Sequence, residues 1–134
     1  MENSTPYQIS LFVNDGILEL VITGTAIGND FEKMMDEMDA ILEANDAKEV
    51  IIDIRPFEEH IDSTTIYHYA RKHDLFIQGI KTAVVDLQEK TSFAIALKNA
   101  GVPVERFADI DLARKWIQSN PIKDSWLNET IDRK

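Results

Sequence analysis

The chain has 134 residues, 44% of them apolar and 28% charged, with a formal net charge of -10 and no cysteine. That length predicts one domain, residues 1–134, with room for a real core. The acidic balance argues against nucleic acid and against an anionic membrane surface, which would both repel it. The missing cysteines remove disulfides, thiolate nucleophiles and cysteine-ligated zinc.

No apolar run reaches the length of a membrane span, so no membrane span is expected. The first residues, Met-Glu-Asn-Ser-Thr-Pro, are polar and acidic and lack the basic-then-apolar pattern of a secretory leader. A cytoplasmic protein is the expectation, with residues 1–6 as an unstructured lead. Tyr7 to Val13 alternates loosely and reads as a strand. Asn14-Asp15-Gly16 tolerates positive φ and reads as a tight turn, and Ile17 to Thr23 as the returning strand of a hairpin. Gly24 to Asp30 is a loop in which glycine permits a sharp turn or a close backbone approach. It has neither the dinucleotide fingerprint nor the lysine of a phosphate-cradling loop.

Phe31 to Asn45 is the clearest helix. Phe31, Met34, Met35, Met38, Ile41 and Leu42 share one face, and Glu32, Lys33, Asp36, Glu37 and Glu43 the other. The methionine stripe reads as core packing or as an adaptable binding surface. Glu49 to Ile54 is an apolar, β-branched run that predicts a buried parallel strand, stopped by Pro56. A loop follows, and Asp62 and Ser63 supply the capping chemistry for a helix from Thr64 to about His73 with Ile66, Tyr67 and Ala70 inward. Lys81 to Val85 is a short buried strand and Thr91 to Ala100 a helix closed by Gly101. Val104 to Phe107 is a last strand. Asp109 or Asp111 caps a final helix, Leu112 to Gln118, with Leu112, Trp116 and Ile117 inward. Residues 119–134, with Trp126, Leu127 and Ile131, read as an arm or an extra helix.

The order β-β-α-β-α-β-α-β-α predicts an α/β fold: a mixed, mostly parallel sheet with an N-terminal hairpin and helices packed on it. Ligands on such sheets sit beyond the carboxyl ends of the strands. The loops after Gly24, Arg55, Asp86 and Ala108 all fall at that end.

Asp53 ends the buried strand, Asp62-Ser63-Thr64-Thr65 opens the next helix nine residues later, and a Gly24 loop follows the second strand. In these features and in its element order over about residues 7–118, the chain resembles STAS domains, the family of bacterial anti-sigma-factor antagonists and of the cytoplasmic tails of sulfate transporters. The resemblance implies a non-enzymatic regulatory module that docks on a protein partner through the helix start, with Ser63 as a phosphoacceptor. Asp53, Arg55, Asp62, Thr64, Thr65 and Gly24 are then candidate binding residues. Thr65 stands where the family has glycine, and Glu58-Glu59-His60 replaces a largely apolar run. The closing Phe107 and Ala113-Arg114-Lys115-Trp116-Ile117 are similar to a divergent subgroup of stand-alone bacterial proteins likened to lipid-binding Sec14-type domains. That likeness implies a carrier or sensor of a small apolar ligand or lipid, with Phe57, Tyr67, Phe76 and Phe93 as candidate pocket walls.

Each candidate has a simpler reading. Ser63 at a helix start stabilises by about 1 kcal/mol as a cap. A phosphate there would meet the positive end of the helix dipole but also Asp62, Glu58 and Glu59, which oppose it. His60, His68 and His73 do not share a spacing that builds a metal site, and surface histidines are expected. Glu58-Glu59 and Asp109-Asp111 suggest caps rather than an acid-base pair, and no nucleophile elbow is present. Arg55 past the strand end could grip an anion, or pair locally with Asp53, Glu58 or Glu59. No catalytic residue, metal or cofactor is expected. A hydrophobic sheet edge or the Trp126 arm offers a homodimer contact.

Overall fold

The computed structural model describes residues 6–26, 29–58, 63–72, 80–87 and 92–119. Strands β1 (Tyr7–Asn14) and β2 (Ile17–Thr25) form the expected antiparallel hairpin, in unbroken register from Tyr7 opposite Gly24 to Asn14 opposite Ile17. Asp15 and Gly16 make its two-residue turn with φ of 55° and 80°. Positive φ at both central residues gives the turn the same twist as the strands it joins. There follow α1 (Asn29–Ala44), β3 (Glu49–Asp53), β4 (Phe57–Glu58), α2 (Ser63–Lys72), β5 (Lys81–Val85), α3 (Ser92–Asn99), β6 (Val104–Phe107) and α4 (Ile110–Ser119).

The sheet runs β1-β2-β3-β5-β6, with β4 beside the end of β2. Every pairing except the hairpin is parallel. The expected α/β fold is therefore the one observed, and β3 lies between β2 and β5 with Val50, Ile51 and Ile52 sealed from solvent. The addition is β4, in a stretch that reads as loop. Phe57 N donates to Ile54 O across the Arg55-Pro56 turn, and the next two residues extend beside Gly24 and Thr25. Two residues are too few for a period-2 pattern to show.

Helices α1, α2 and α3 cover one face. Leu18, Leu20, Ile22, Val50, Ile52 and Val84 of the sheet pack there with Met34, Met35, Met38 and Leu42 of α1, Ile66 of α2 and Leu97 of α3. The methionine stripe is thus core, which suits an unbranched side chain filling the uneven space between helix and twisted sheet. Three expectations about facing are corrected. In α2 the inward partner of Ile66 is Tyr69, with Tyr67 only half-buried toward α3, because residues three apart share a helix face. In α4, Ile117 is buried and Trp116 packs partly buried beside it as expected, but Leu112 is 52% exposed and Ala113, four before Ile117, takes its place. Pro6 is tied in rather than loose, since its carbonyl accepts a hydrogen bond from Thr25 N at 3.0 Å.

Among the described residues α4 covers the other face, where Ile17, Ile51, Ala83 and Val85 meet Ala113 and Ile117, with Phe107, Ile110 and Trp116 partly buried around them. Polar contacts hold its two ends. At the start, Asp109 Oδ1 accepts from Asp111 N at 2.7 Å, the expected cap. At the finish, Lys81, the first residue of β5 and 2% exposed, donates from Nζ to the carbonyls of Trp116 (3.0 Å) and Ile117 (3.3 Å). Those carbonyls belong to the last turn, which has no partners within the helix and carries the negative end of its dipole. The same ammonium lies 4.4 Å from the centre of the Trp116 ring. Burial lowers the Lys81 pKa, and these contacts offset the cost of placing a cation inside. Lys81→Met, which keeps the stem and removes the donor, should cost about 1–3 kcal/mol. Urea unfolding checks this: the midpoint falls while the slope stays unchanged.

Candidate functional site at the carboxyl ends of the strands

Asp53, the last residue of β3, is buried, and its carboxylate accepts three bonds from Arg55. These come from the backbone N at 3.1 Å, Nε at 2.9 Å and Nη2 at 2.7 Å. A turn residue two positions beyond a strand end can reach back in this way, and the planar guanidinium matches both oxygens. The bond to Asp53 raises the Arg55 pKa, with Asp109 adding to the effect and Arg114 opposing it. Of the two readings of Arg55, the structure shows the local ion pair. A second clasp lies on the same face of the sheet. Glu19, buried in β2, is held by Arg114 of α4 through Nε at 2.7 Å and Nη2 at 2.8 Å. Both oxygens of each carboxylate are engaged by an arginine, an arrangement that orients side chains rather than offering a proton acceptor.

Gly24 performs a structural task at the end of β2. Its φ is 88°, and a Cβ there would lie 2.1 Å from the Pro6 carbonyl oxygen and 2.9 Å from Tyr7 Cα. The close approach expected of this glycine is the approach of the chain's own N-terminal segment. On the other side of the same strand, Thr25 Oγ1 donates to Glu58 O at 3.2 Å. The end of β2 is therefore flanked by Pro6-Tyr7 and by β4, which together form a tied floor.

Helix α2 starts at Ser63, with Thr64 and Thr65 exposed. Tyr69 fixes its lie. The ring meets Phe31 edge-on at 5.9 Å and 76°, and the hydroxyl donates to Asp36 of α1. Burial and the Asp36 bond raise the Tyr69 pKa. Carboxylates gather on the α1 side of this seam: burial, then Asp36 and Glu43, push Asp39 up to about 7. Two shallow grooves flank the exposed ridge of α2. One, of about 240 Å³, runs toward α1 and is lined by Phe31, Glu32, Thr65, His68, Tyr69 and Lys72. The other, of about 320 Å³, runs toward α3 between Thr64, Tyr67, His68, Ala96 and Asn99.

Of the pocket candidates, Phe93 is inside the helix-side core, while Phe57 and Tyr67 pack half-buried against it. Phe76, Asp62, His60, His73 and residues 120–134 lie outside the described residues, as does the side chain of Ser63. His68 is exposed, its ring 5.5 Å from that of Tyr67. Among the described residues no group of three or more histidines and carboxylates could hold a metal ion, and no helix is long and apolar enough to cross a membrane. Sequence reasoning missed Glu19, Lys81, Tyr69 and Asp39. A glutamate inside Ile-Leu-Glu-Leu-Val-Ile did signal a buried charge in need of a cation, but nothing in the pattern marked Arg114 as that cation.

No family model and no curated protein matches the chain. Solved structures do. A crystal structure of an anti-sigma factor antagonist from Mycobacterium paratuberculosis is 15% identical with a TM-score of 0.59, over 87% of this chain and 99% of that one. The fold is STAS-like. An uncharacterised protein with a SpoIIAA-like fold from Shewanella loihica is 18% identical with a TM-score of 0.58, over 87% of this chain and 98% of its own. In this STAS-like frame, β4 occupies part of the stretch between Asp53 and the start of α2.

Two outcomes follow from these contacts. Gly24→Ala should destabilise by more than about 1 kcal/mol, and by more than Gly16→Ala, where the added Cβ meets nothing within 4 Å. Paired thermal melts compare the two. For Asp39, the unfolded chain releases the proton near 3.8 and the folded chain near 7. Because the folded state retains the proton in that window, stability falls as pH rises from about 4 to about 7, by an amount on the order of a few kcal/mol. Asp39→Asn should flatten that slope in urea titrations run across the same pH range.

Proposed function

We propose that the chain is a non-enzymatic regulatory module of STAS type, a single domain acting in the cytoplasm. Its α2 surface docks on a protein partner, and phosphorylation at Ser63 sets the docking. The observation that carries this reading is the opening of α2 at Ser63-Thr64-Thr65 within a STAS-like fold, with Thr64 and Thr65 exposed and grooves on both sides of the helix. A hydroxyl at a helix start is close to amides that have no partner within the helix. A phosphate on it carries about -1.5 to -2 charges into the rim of the docking surface. It faces the positive end of the helix dipole. A partner whose contact face is acidic is then repelled, and one that presents arginines is drawn in.

Phosphopeptide mass spectrometry on protein recovered from its native cells tests this across growth states. Phosphate on Ser63, or on Thr64 or Thr65, is the expected finding, and its absence in every state removes the switch. A partner that co-purifies with the wild-type chain and with Ser63→Ala, and whose retention changes with Ser63→Asp, completes the reading. Equal retention by all three removes Ser63 from it.

A further inference from the structure

We propose that β1 is a self-association edge, through which two copies of this chain join their sheets by antiparallel pairing of β1 with β1. The strand is eight residues long and paired without a bulge along its inner side. Its outer side is the edge of the sheet. Asn14 and Ile17 close a two-residue hairpin and exchange both backbone bonds, so Ser10 and Phe12 also point their amides inward. Ile9, Leu11 and Val13 therefore turn their N–H and C=O groups outward, with no ladder partner among the described residues.

Edge strands of natural sheets are ordinarily blunted by charge, proline, a bulge or shortness. Here Tyr-Gln-Ile-Ser-Leu-Phe-Val-Asn has no charged residue in a chain that is 28% charged. Leu11, Phe12 and Val13 are 42%, 54% and 65% exposed, three consecutive large apolar side chains covering both faces of the strand.

Charge selects the occupant. Two copies that each carry a net charge of -10 repel at long range and meet at least cost where charge is sparse. The strand β1 carries no charged side chain of its own, and Glu37 of α1, which shares a groove with Tyr7, Gln8 and Ile9, is the carboxylate whose repulsion the pairing must meet. A basic partner would be drawn to carboxylates elsewhere, such as the exposed Glu32 and Glu43 of α1, rather than to an uncharged strand. Symmetry fits as well, because a strand paired antiparallel with its own copy is self-complementary about a two-fold axis. The axis must pass through a residue rather than between two, since a one-residue slip sets opposite pleats against each other. With Leu11 opposite its copy, Ile9 falls opposite Val13, and these side chains continue the helix-side face across the junction. The assembly closes at two copies: the far edge of the sheet, β6, has only four residues and carries Glu105 and Arg106.

Sedimentation velocity of the full chain, from micromolar to millimolar and at low and high salt, tests the inference. The dimer should grow with concentration and with salt, because salt screens repulsion between like molecules. Hydrogen exchange should show Ile9, Leu11 and Val13 amides gaining protection as the dimer forms. Leu11→Lys and Val13→Lys should sediment as monomers with far-ultraviolet spectra like that of the wild type, while Leu87→Lys, at another exposed leucine, leaves the dimer intact. A monomer at every concentration and salt overturns the inference. So does a dimer that survives both edge lysines. Concentration-independent protection of the same amides overturns it too, by showing that another segment of the chain or a bound peptide occupies the edge.

Discussion

A cation buried where two elements meet, Lys81 beneath the end of α4, sets the terms for half of this structure. The central strands β3 and β5 need cover on both faces, and among the described residues the second face is covered by one ten-residue helix. Area alone fixes the position of such a helix weakly, because burial is non-directional. Direction comes from the ends. Lys81 binds the last-turn carbonyls, and Gln118 reaches Asp15 in the hairpin turn at 3.3 Å. Nearer the start, Arg114 reaches across to Glu19. Glu19 in turn is tolerable inside a strand only because α4 brings a guanidinium over it, since a buried carboxylate with no partner would cost several kcal/mol. Sheet and helix thus require each other through two charges, one supplied by each.

How much of this was legible in the sequence follows from what each residue encodes locally. The hairpin could be read because Asp15-Gly16 supports a single turn type. β3 could be read because Glu-Val-Ile-Ile-Asp-Ile is β-branched and ends before a proline, and α1 because its apolar residues recur at helical spacing. Each of these signals is complete within about fifteen residues. What could not be read depends on contacts between distant parts of the chain. Tyr69 shares a helix face with Ile66, three residues before it, but the Phe31 ring and the Asp36 carboxylate it meets lie in another helix and left no local sign. Leu112 looked like a core residue because it is apolar, yet the helix is rotated by Ala113 and Ile117 fitting against Ile51 and Ala83, where a small residue allows close approach. β4 has no pattern of its own and exists because Gly24 and Thr25 leave the end of β2 available beside it.

The candidate site divides along the same line. Gly24, Asp53, Arg55 and the start of α2 were each identifiable as special positions, because glycine, a strand-end aspartate and a hydroxyl run all carry backbone-level information. Their tasks were legible as one of two alternatives each. Gly24 admits the chain's own N-terminal crossing, and Arg55 is committed to Asp53. The exposed part of this end of the molecule includes the ridge of α2 with its two grooves, a surface that no single residue announces.

That ridge stands on unequal supports. Its floor is tied on both sides of β2, by Pro6 through Thr25 N and by Glu58 through Thr25 Oγ1. The helix itself is seated against α1 through Ile66 and Tyr69, and the hydrogen bond from Tyr69 ends on a carboxylate in an acidic neighbourhood. Moving the floor would break backbone bonds, whereas the seat of the helix on α1 is made by side chains, among them the Tyr69–Phe31 ring contact and the Tyr69–Asp36 bond. A charge at the start of α2, or a proton at Asp39, therefore acts where side chains rather than backbone bonds set the geometry, and the Asp53–Arg55 clasp lies at the end of β3, a different element.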